Sequence, residues 1–261
     1  MNKYYIIPDV HGRDFWKSIR NICTPEDEII FLGDYLDPYT LEEHITPEES
    51  IENFKEIVEF ANFNPNVTLL IGNHDLPYFF HQYVGTRHIY KYHDEILKIF
   101  QSYQRDWKIF YHIPEYNTLL SHAGLCNTWW EAVIKRFDNI RTYEDVNVFF
   151  KECYTNHENL NQDHKKFLDA LDIYTWHRGG ISDFASPLWL DIRDDVSLPD
   201  INQYVGHTAV TKPVMKNWVG ILYDLDVSRI FVLDLNGIHN ADFTDVQDLF
   251  FLNVSGNFLN Y

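Results

Sequence analysis

Five times along this chain a short apolar run stops at a cluster of Asp, His or Asn beside a glycine. Residues 3–8 lead into Asp9-Val10-His11-Gly12, residues 28–32 into Gly33-Asp34-Tyr35-Leu36-Asp37, and residues 67–71 into Gly72-Asn73-His74-Asp75. Residues 117–121 lead into His122-Ala123-Gly124, and a later strand ends at Gly206-His207-Thr208. Runs this short, rich in Val, Ile, Leu and Tyr and bounded by turn residues, read as buried strands. Two more are expected at 218–223 and 229–233.

Helical patterns fall between these runs. Phe15, Trp16, Ile19 and Ile22 recur at helical spacing after the first run. Thr46-Pro47-Glu48-Glu49 reads as a capping box with proline at the first helical position, and it predicts a helix to about Ala61. Its buried stripe is Ile51, Phe54, Val58 and Ala61. Alternation of strand and helix indicates an α/β architecture, with a more β-rich C-terminal third. Two stretches break the rhythm: 76–115, crowded with Tyr, Phe, His and Trp, and 127–175, read as two or three amphipathic helices. In the second, Trp129, Trp130, Val133 and Phe137 share one helical face, and Phe167, Leu168 and Leu171 another. No repeat or Pro/Gly/Ser linker interrupts the chain, so the expectation is one domain over 1–261. It carries both stretches as insertions, candidates for a cap over a site.

In open α/β sheets, ligands bind beyond the carboxyl ends of the strands, so five polar strand ends can converge on one site. Asp, His and Asn are hard oxygen and imidazole donors, suited to Mn, Fe, Zn or Ni rather than to soft metals. Charge excludes some partners. The net charge of -18 repels nucleic-acid backbones and anionic membranes, so no general nucleic-acid or membrane binding is expected. Three scattered cysteines (Cys23, Cys126, Cys153) with no CxxC pair exclude a disulfide scaffold and fit a reducing compartment. The first apolar run ends at Asp9, too early for a secretory leader, and a cytoplasmic chain is expected.

Taken together, Asp-x-His-Gly, Gly-Asp-x-x-Asp, Gly-Asn-His-Asp, Ser-His-Ala-Gly and Gly-His-Thr resemble the signature of calcineurin-like metallophosphoesterases. The likeness is greatest to the serine/threonine phosphatase branch and its bacterial relatives, which include symmetrical dinucleoside tetraphosphate hydrolases. The resemblance implies a four-layer α/β/β/α sandwich of two mixed β-sheets flanked by helices. It also implies two divalent metal ions, with Asp9 and His11 on one, Asp34 bridging both, and Asn73, His122 and His207 on the second. A metal-bridging hydroxide would attack phosphorus, His74 would protonate the leaving oxygen as general acid, and Asp37 would orient His74. The expected activity is phosphomonoester hydrolysis on a phosphorylated small molecule or phosphoprotein.

One departure concerns the phosphate. The phosphatase branch continues Gly-Asp-x-x-Asp with Arg-Gly, the arginine gripping the substrate, whereas this chain has Pro38 and Tyr39. Arg13, Arg178 and Arg193 are the candidate replacements, since guanidinium suits bidentate phosphate contact. Gly-His-Thr also lacks the second histidine common in phosphodiesterase branches. The alternative within the enzyme class is a nucleotide hydrolase acting on dinucleoside polyphosphates or phosphodiesters. In it, Phe79, Phe80, Tyr83, Tyr90, Tyr92 and Tyr103 would stack a base instead of packing the core. A non-catalytic scaffold for a phosphorylated ligand is the third reading. His81, His88, His93 and His112 match no metal-ligand spacing and are expected to be cap or surface residues.

Overall fold

The computed structural model describes residues 3–83, 85–210, 212–217, 221–224, 229–234, 237–240, 251–252 and 258–259. Its strands, in chain order, are β1 (Tyr4–Ile7), β2 (Glu28–Phe31), β3 (Val67–Leu69), β4 (Phe110–Ile113), β5 (Thr118–Ser121) and β6 (Asn202–Val205). They continue with β7 (Val214–Asn217), β8 (Ile221–Asp224), β9 (Phe231–Asp234), β10 (Gly237–Asn240), β11 (Phe251–Leu252) and β12 (Phe258–Leu259). The helices are α1 (Ile19–Ile22), α2 (Thr40–Glu43), α3 (Pro47–Phe63), α4 (Leu76–Phe79), α5 (His93–Ser102), α6 (Asn127–Arg136), α7 (Tyr143–Thr155) and α8 (Gln162–Leu171). Of the run expected at 218–223, Trp218, Val219 and Gly220 lie outside the described residues.

The strands form two mixed sheets. The first has the order β12-β11-β10-β9-β1-β2-β3, with β1, β2 and β3 parallel and β9 antiparallel to β1. The second has the order β4-β5-β6-β8-β7, with β5, β6 and β8 parallel between antiparallel edges. Strand β4 is not foreseen from the sequence, because Phe-Tyr-His-Ile carries no clean apolar run. It forms by pairing with β5 across the turn Pro114–Tyr116, with Asn117 left-handed.

The apolar runs are unbroken because both faces of the strands are covered. Tyr4, Ile6, Ile30, Leu32 and Leu70 of the first sheet pack on Ile113, Leu120 and Tyr204 of the second. The alternate residues Tyr5, Ile7, Ile29, Phe31, Val67 and Leu69 face the other way, into the helical layer. Helix α3 supplies Ile51, Phe54, Val58 and Ala61, all buried as expected. Its N-terminus is the expected capping box: Glu49 N–H donates to Thr46 Oγ1 at 3.2 Å, and Thr46 N–H to Glu49 Oε2 at 2.8 Å. Helices α6 to α8 cover the second sheet, with Trp129, Val133, Phe137, Phe167, Leu168 and Leu171 buried. The layers are thus helix, sheet, sheet, helix.

The aromatic stretch mostly fills the core. Phe54 and Phe100 approach to 4.6 Å between ring centroids, Phe79 and Phe100 to 4.8 Å, and Phe100 and Trp107 to 5.1 Å. Phe79, Phe80 and Tyr103 are buried, Tyr83 and Tyr92 partly so, and Tyr90 is exposed. His88 and His93 are buried rather than at the surface, with His88 stacked on Tyr78. No helix among the described residues is long and apolar enough to cross a membrane.

Strand β4 is an edge, and a side chain occupies its backbone there. Buried Asn147 on α7 accepts from Ile109 N–H at 2.9 Å and Phe110 N–H at 3.0 Å, and donates to Phe110 C=O at 2.9 Å. Asn147→Ala strands three backbone groups at once, and the expected loss is about 3 kcal/mol by urea unfolding. Thr46→Ala, which removes one exposed cap, is expected to lose about 1 kcal/mol in the same assay. Equal losses would contradict the role given to Asn147.

Candidate metal centre

The parallel strands of both sheets point their carboxyl ends at one seam. Asp9 follows β1, Asp34 follows β2 and Asn73 follows β3; His122 follows β5 and His207 follows β6. The two sheets are stitched together there. His207 N–H donates to Asp9 Oδ1 at 2.9 Å, and His122 Nδ1 lies 3.1 Å from the Leu32 carbonyl.

The local backbone is unusual. Among the described residues, seven non-glycine residues have positive φ, and His11, Asp34, Asp37 and His207 are four of them. Left-handed backbone costs free energy in a residue with a Cβ and persists where surrounding contacts enforce it, as at functional sites. Neighbouring chain approaches closely as well. A Cβ on Gly72 would overlap the Asp34 carboxylate, and one on Gly206 would overlap that of Asp9.

Two donor sets meet at Asp34. On one side, His11 Nε2 lies 3.6 Å from Asp34 Oδ2 and 3.9 Å from Asp9 Oδ2. On the other, His122 Nε2 lies 3.5 Å from the same Asp34 oxygen, 2.8 Å from Asn73 Oδ1 and 3.0 Å from His207 Nδ1. Within the groups His11, Asp34, His74 and Asp34, His122, His207, one ligand atom from each residue lies within 4.8 Å of the others. All six residues expected as metal ligands are buried and gathered here.

The protonation states suit a cation. His11 Nδ1 lies 2.8 Å from the Leu36 carbonyl, which places its proton on that nitrogen and leaves the Nε2 lone pair facing Asp34. Burial, against the nearby Asp34 charge, pushes His11 down to about 3. Burial also lowers His122 and holds His207 well below the ordinary imidazole value. Neutral imidazoles offer lone pairs, and metal binding needs them in that form. Asp34 is held below the ordinary carboxylate value: burial alone would raise it, but the imidazoles around it, whenever one is protonated, and the His74 N–H that donates to it outweigh burial. His207 Nε2 is buried with no hydrogen-bond partner, so the ring is incompletely satisfied whichever nitrogen holds its proton. Acceptors crowded on acceptors, with an orphaned imidazole among them, fit a divalent cation.

His74 stands beside these donors, its ring 5.2 Å from that of His11. Its Nδ1 lies 2.9 Å from Asp37 Oδ2, and the other Asp37 oxygen accepts from Tyr78 O–H at 2.6 Å. Burial works to lower the His74 pKa, but the Asp34 charge and the Asp37 hydrogen bond outweigh it and raise it above the ordinary value.

The three expected arginines lie differently. Arg178 donates through Nη2 to Thr208 Oγ1 at 2.8 Å and to the His207 carbonyl at 3.4 Å, with Nε 2.8 Å from Asp191. Arg13 bonds Glu43 through Nε and reaches the Asp9 carbonyl at 3.4 Å. Arg193 folds back on Asp191, with two contacts of 2.7 Å.

Sequence alone assigned no role to Asp75. Its carboxylate accepts from Asp34 N–H at 2.7 Å, Gly72 N–H at 2.9 Å and Tyr35 N–H at 3.1 Å, so it holds two of the converging loops together. Its place in Gly-Asn-His-Asp was the available signal. Arg87 and Tyr39 also reach the site, and nothing in the spacing of the sequence marks them.

The family model described as calcineurin-like phosphoesterase matches residues 3–210. The chain belongs to this family. Membership means metal-dependent hydrolysis of phosphoesters, and the His/Asp groups fit such a site. No curated protein matches the chain. Among solved structures, it is similar to a cold-active protein-tyrosine phosphatase of the psychrophile Shewanella sp., at 15% identity and a TM-score of 0.60 over 99% of this chain and 80% of that one. It is also similar to a 1.1 Å structure of a cold-active protein tyrosine phosphatase, at 14% identity and a TM-score of 0.57 over 99% of this chain and 78% of that one. At such identity the likeness bears on the fold, and it agrees with two mixed sheets flanked by helices.

Gly72→Ala sets a methyl group against the Asp34 carboxylate without altering any donor. It is expected to cut divalent-cation affinity by about tenfold or more, the loss typical of disturbing the support of a ligand. Titration with Mn followed by calorimetry checks this, and undiminished affinity would mean that Asp34 is not a ligand.

Proposed function

We propose that this chain is a dinuclear phosphomonoesterase. The observation that carries the reading is the position of Asp34, one carboxylate oxygen of which faces His11 on one side and His122 on the other. In this reading Asp9, His11 and Asp34 hold one divalent cation, and Asp34, Asn73, His122 and His207 hold a second. When bound, such a pair lowers the pKa of water and stabilises charge developing in an in-line displacement at phosphorus.

The chain's own residues do the rest. Asp34 is aimed by His74 N–H, which donates to its Oδ1 at 2.8 Å. Asp37 fixes the His74 ring through Nδ1, so that Nε2 faces outward, where it delivers a proton to the departing oxygen. Tyr78 in turn holds Asp37. The rate depends on this chain of contacts because a general acid acts only within hydrogen-bond reach of its target.

The monoester reading is preferred to the nucleotide reading on one observation. Phe79, Phe80 and Tyr103, three of the six rings that could have stacked a base, are buried in the core, and Tyr83 and Tyr92 are partly buried. The Shewanella relative is a protein-tyrosine phosphatase, which supports a phosphorylated aromatic side chain as one substrate to test.

His74→Asn is expected to keep its cation content while losing roughly 10²-fold or more of its turnover on an aryl phosphate. Asp34→Asn is expected to lose cations and activity together. Elemental analysis of the purified variants, paired with 4-nitrophenyl phosphate hydrolysis, separates these outcomes. A fully active His74→Asn protein would sink the assignment. Faster cleavage of a bis-aryl diester or diadenosine polyphosphate than of the monoester would favour the nucleotide reading.

A further inference from the structure

We propose that Arg87, carried on the ring of Tyr39, grips the phosphoryl oxygens of the substrate and selects for terminal phosphate groups; this rests on the phosphoesterase reading above. Its position fits that role. The Arg87 guanidinium carbon lies 3.7 Å from the Tyr39 ring centroid, and its Nη2 lies 3.3 Å from His74 Nε2. Tyr39 in turn meets the His11 ring edge-on at 5.2 Å. A cationic side chain thus stands at the rim of the His11, Asp34 and His74 group, beside the nitrogen assigned to the leaving oxygen.

Arg87 is also available. Arg13 is committed to Glu43, and Arg178 and Arg193 share Asp191. Among the described residues no carboxylate pairs with Arg87. Apart from the approach of Nη2 to His74 Nε2 at 3.3 Å, the N–H edge of a guanidinium lying on an aromatic face stays open, and that edge matches two phosphoryl oxygens. Stacking also restricts the side chain before any ligand arrives, which lowers the ordering cost of binding.

Backbone conformation points the same way. Arg87 has φ +63°, the left-handed region it shares with His11, Asp34, Asp37 and His207. An arginine held in that region at the mouth of a site is positioned by its surroundings rather than by its own preference.

The chemistry names the ligand class. A phosphomonoester has three non-bridging oxygens, enough to contact both the cation donors and an arginine fork. A diester has two, and its second ester group must fit where the fork would close. Arg87 therefore favours monoesters and inorganic phosphate over diesters.

The test compares cation-loaded wild type with Arg87→Ala, Arg87→Lys and Tyr39→Leu. Inorganic phosphate binding is read by calorimetry, and hydrolysis of an aryl monoester and a bis-aryl diester is read in parallel. Arg87→Ala is expected to keep its cation content and thermal midpoint while binding phosphate about tenfold or more weakly, with a matching fall in kcat/KM for the monoester. Diester cleavage should fall by less than about threefold, Arg87→Lys should recover only part of the loss, and Tyr39→Leu should resemble a weaker Arg87→Ala. Wild-type phosphate affinity in Arg87→Ala, or equal losses on both esters, would overturn the proposal and leave the phosphoesterase reading standing. A wild-type chain that takes up cations but binds no phosphate and cleaves neither ester would overturn both.

Discussion

The hardest thing this structure does is to bury Asp9, Asp34, Asp37 and Asp75 within one small volume. Carboxylates in a low-dielectric interior repel one another and lose their hydration, and burial beside the Asp34 charge raises Asp75 to about 8. The chain answers with backbone from other loops. His207 N–H serves Asp9, His74 N–H serves Asp34, and the amides of Asp34, Tyr35 and Gly72 serve Asp75. Three of the five loops are thus fastened by a carboxylate belonging to another. The left-handed residues and the close-packed glycines follow from this, because amides aim at those oxygens only if the chain turns sharply.

Much of this was legible in the sequence, for physical reasons. Unbroken apolar runs ending at glycine imply strands covered on both faces, and polar ends imply a site where the strands stop. Metal-ligand candidates could be named because they sit within one to four residues of a strand end, in short loops beside a glycine. Helix α3 was readable from Thr46, Pro47 and Glu49 because a capping box is a local interaction. Other features depend on distant contacts. β4 is a strand only because β5 and Asn147 pair with it, and Phe-Tyr-His-Ile alone carries no such information. Arg87 reaches the site through the path of a loop and a stacking contact with Tyr39. Neither the path nor the contact has a periodicity to detect. Asp75 stood in plain view inside a recognised motif, but its work is to bind backbone, and side-chain type alone does not announce that.

Charge has opposite signs at two scales. The chain as a whole carries -18, which disfavours the approach of anions at a distance and more so at low salt. Around the site, Arg87 lies beside His74, Arg178 beside His207 and Thr208, and Arg13 beside the Asp9 carbonyl. In the proposed reading, discrimination between phosphate esters then depends on short-range geometry rather than on long-range attraction.

The stitching of the two sheets carries one more implication. Asp9, Asp34 and Asn73 extend from one sheet, and His122 and His207 from the other, so a cation at Asp34 is a rivet through both. Because the unfolded chain cannot assemble these donors, occupancy adds directly to folding free energy, about 2.7 kcal/mol when the free ion exceeds its dissociation constant a hundredfold. The fold is then a sensor of ion supply. In the dinuclear reading proposed above, the stability of the sandwich then depends on the supply of the ion as well as on its own packing.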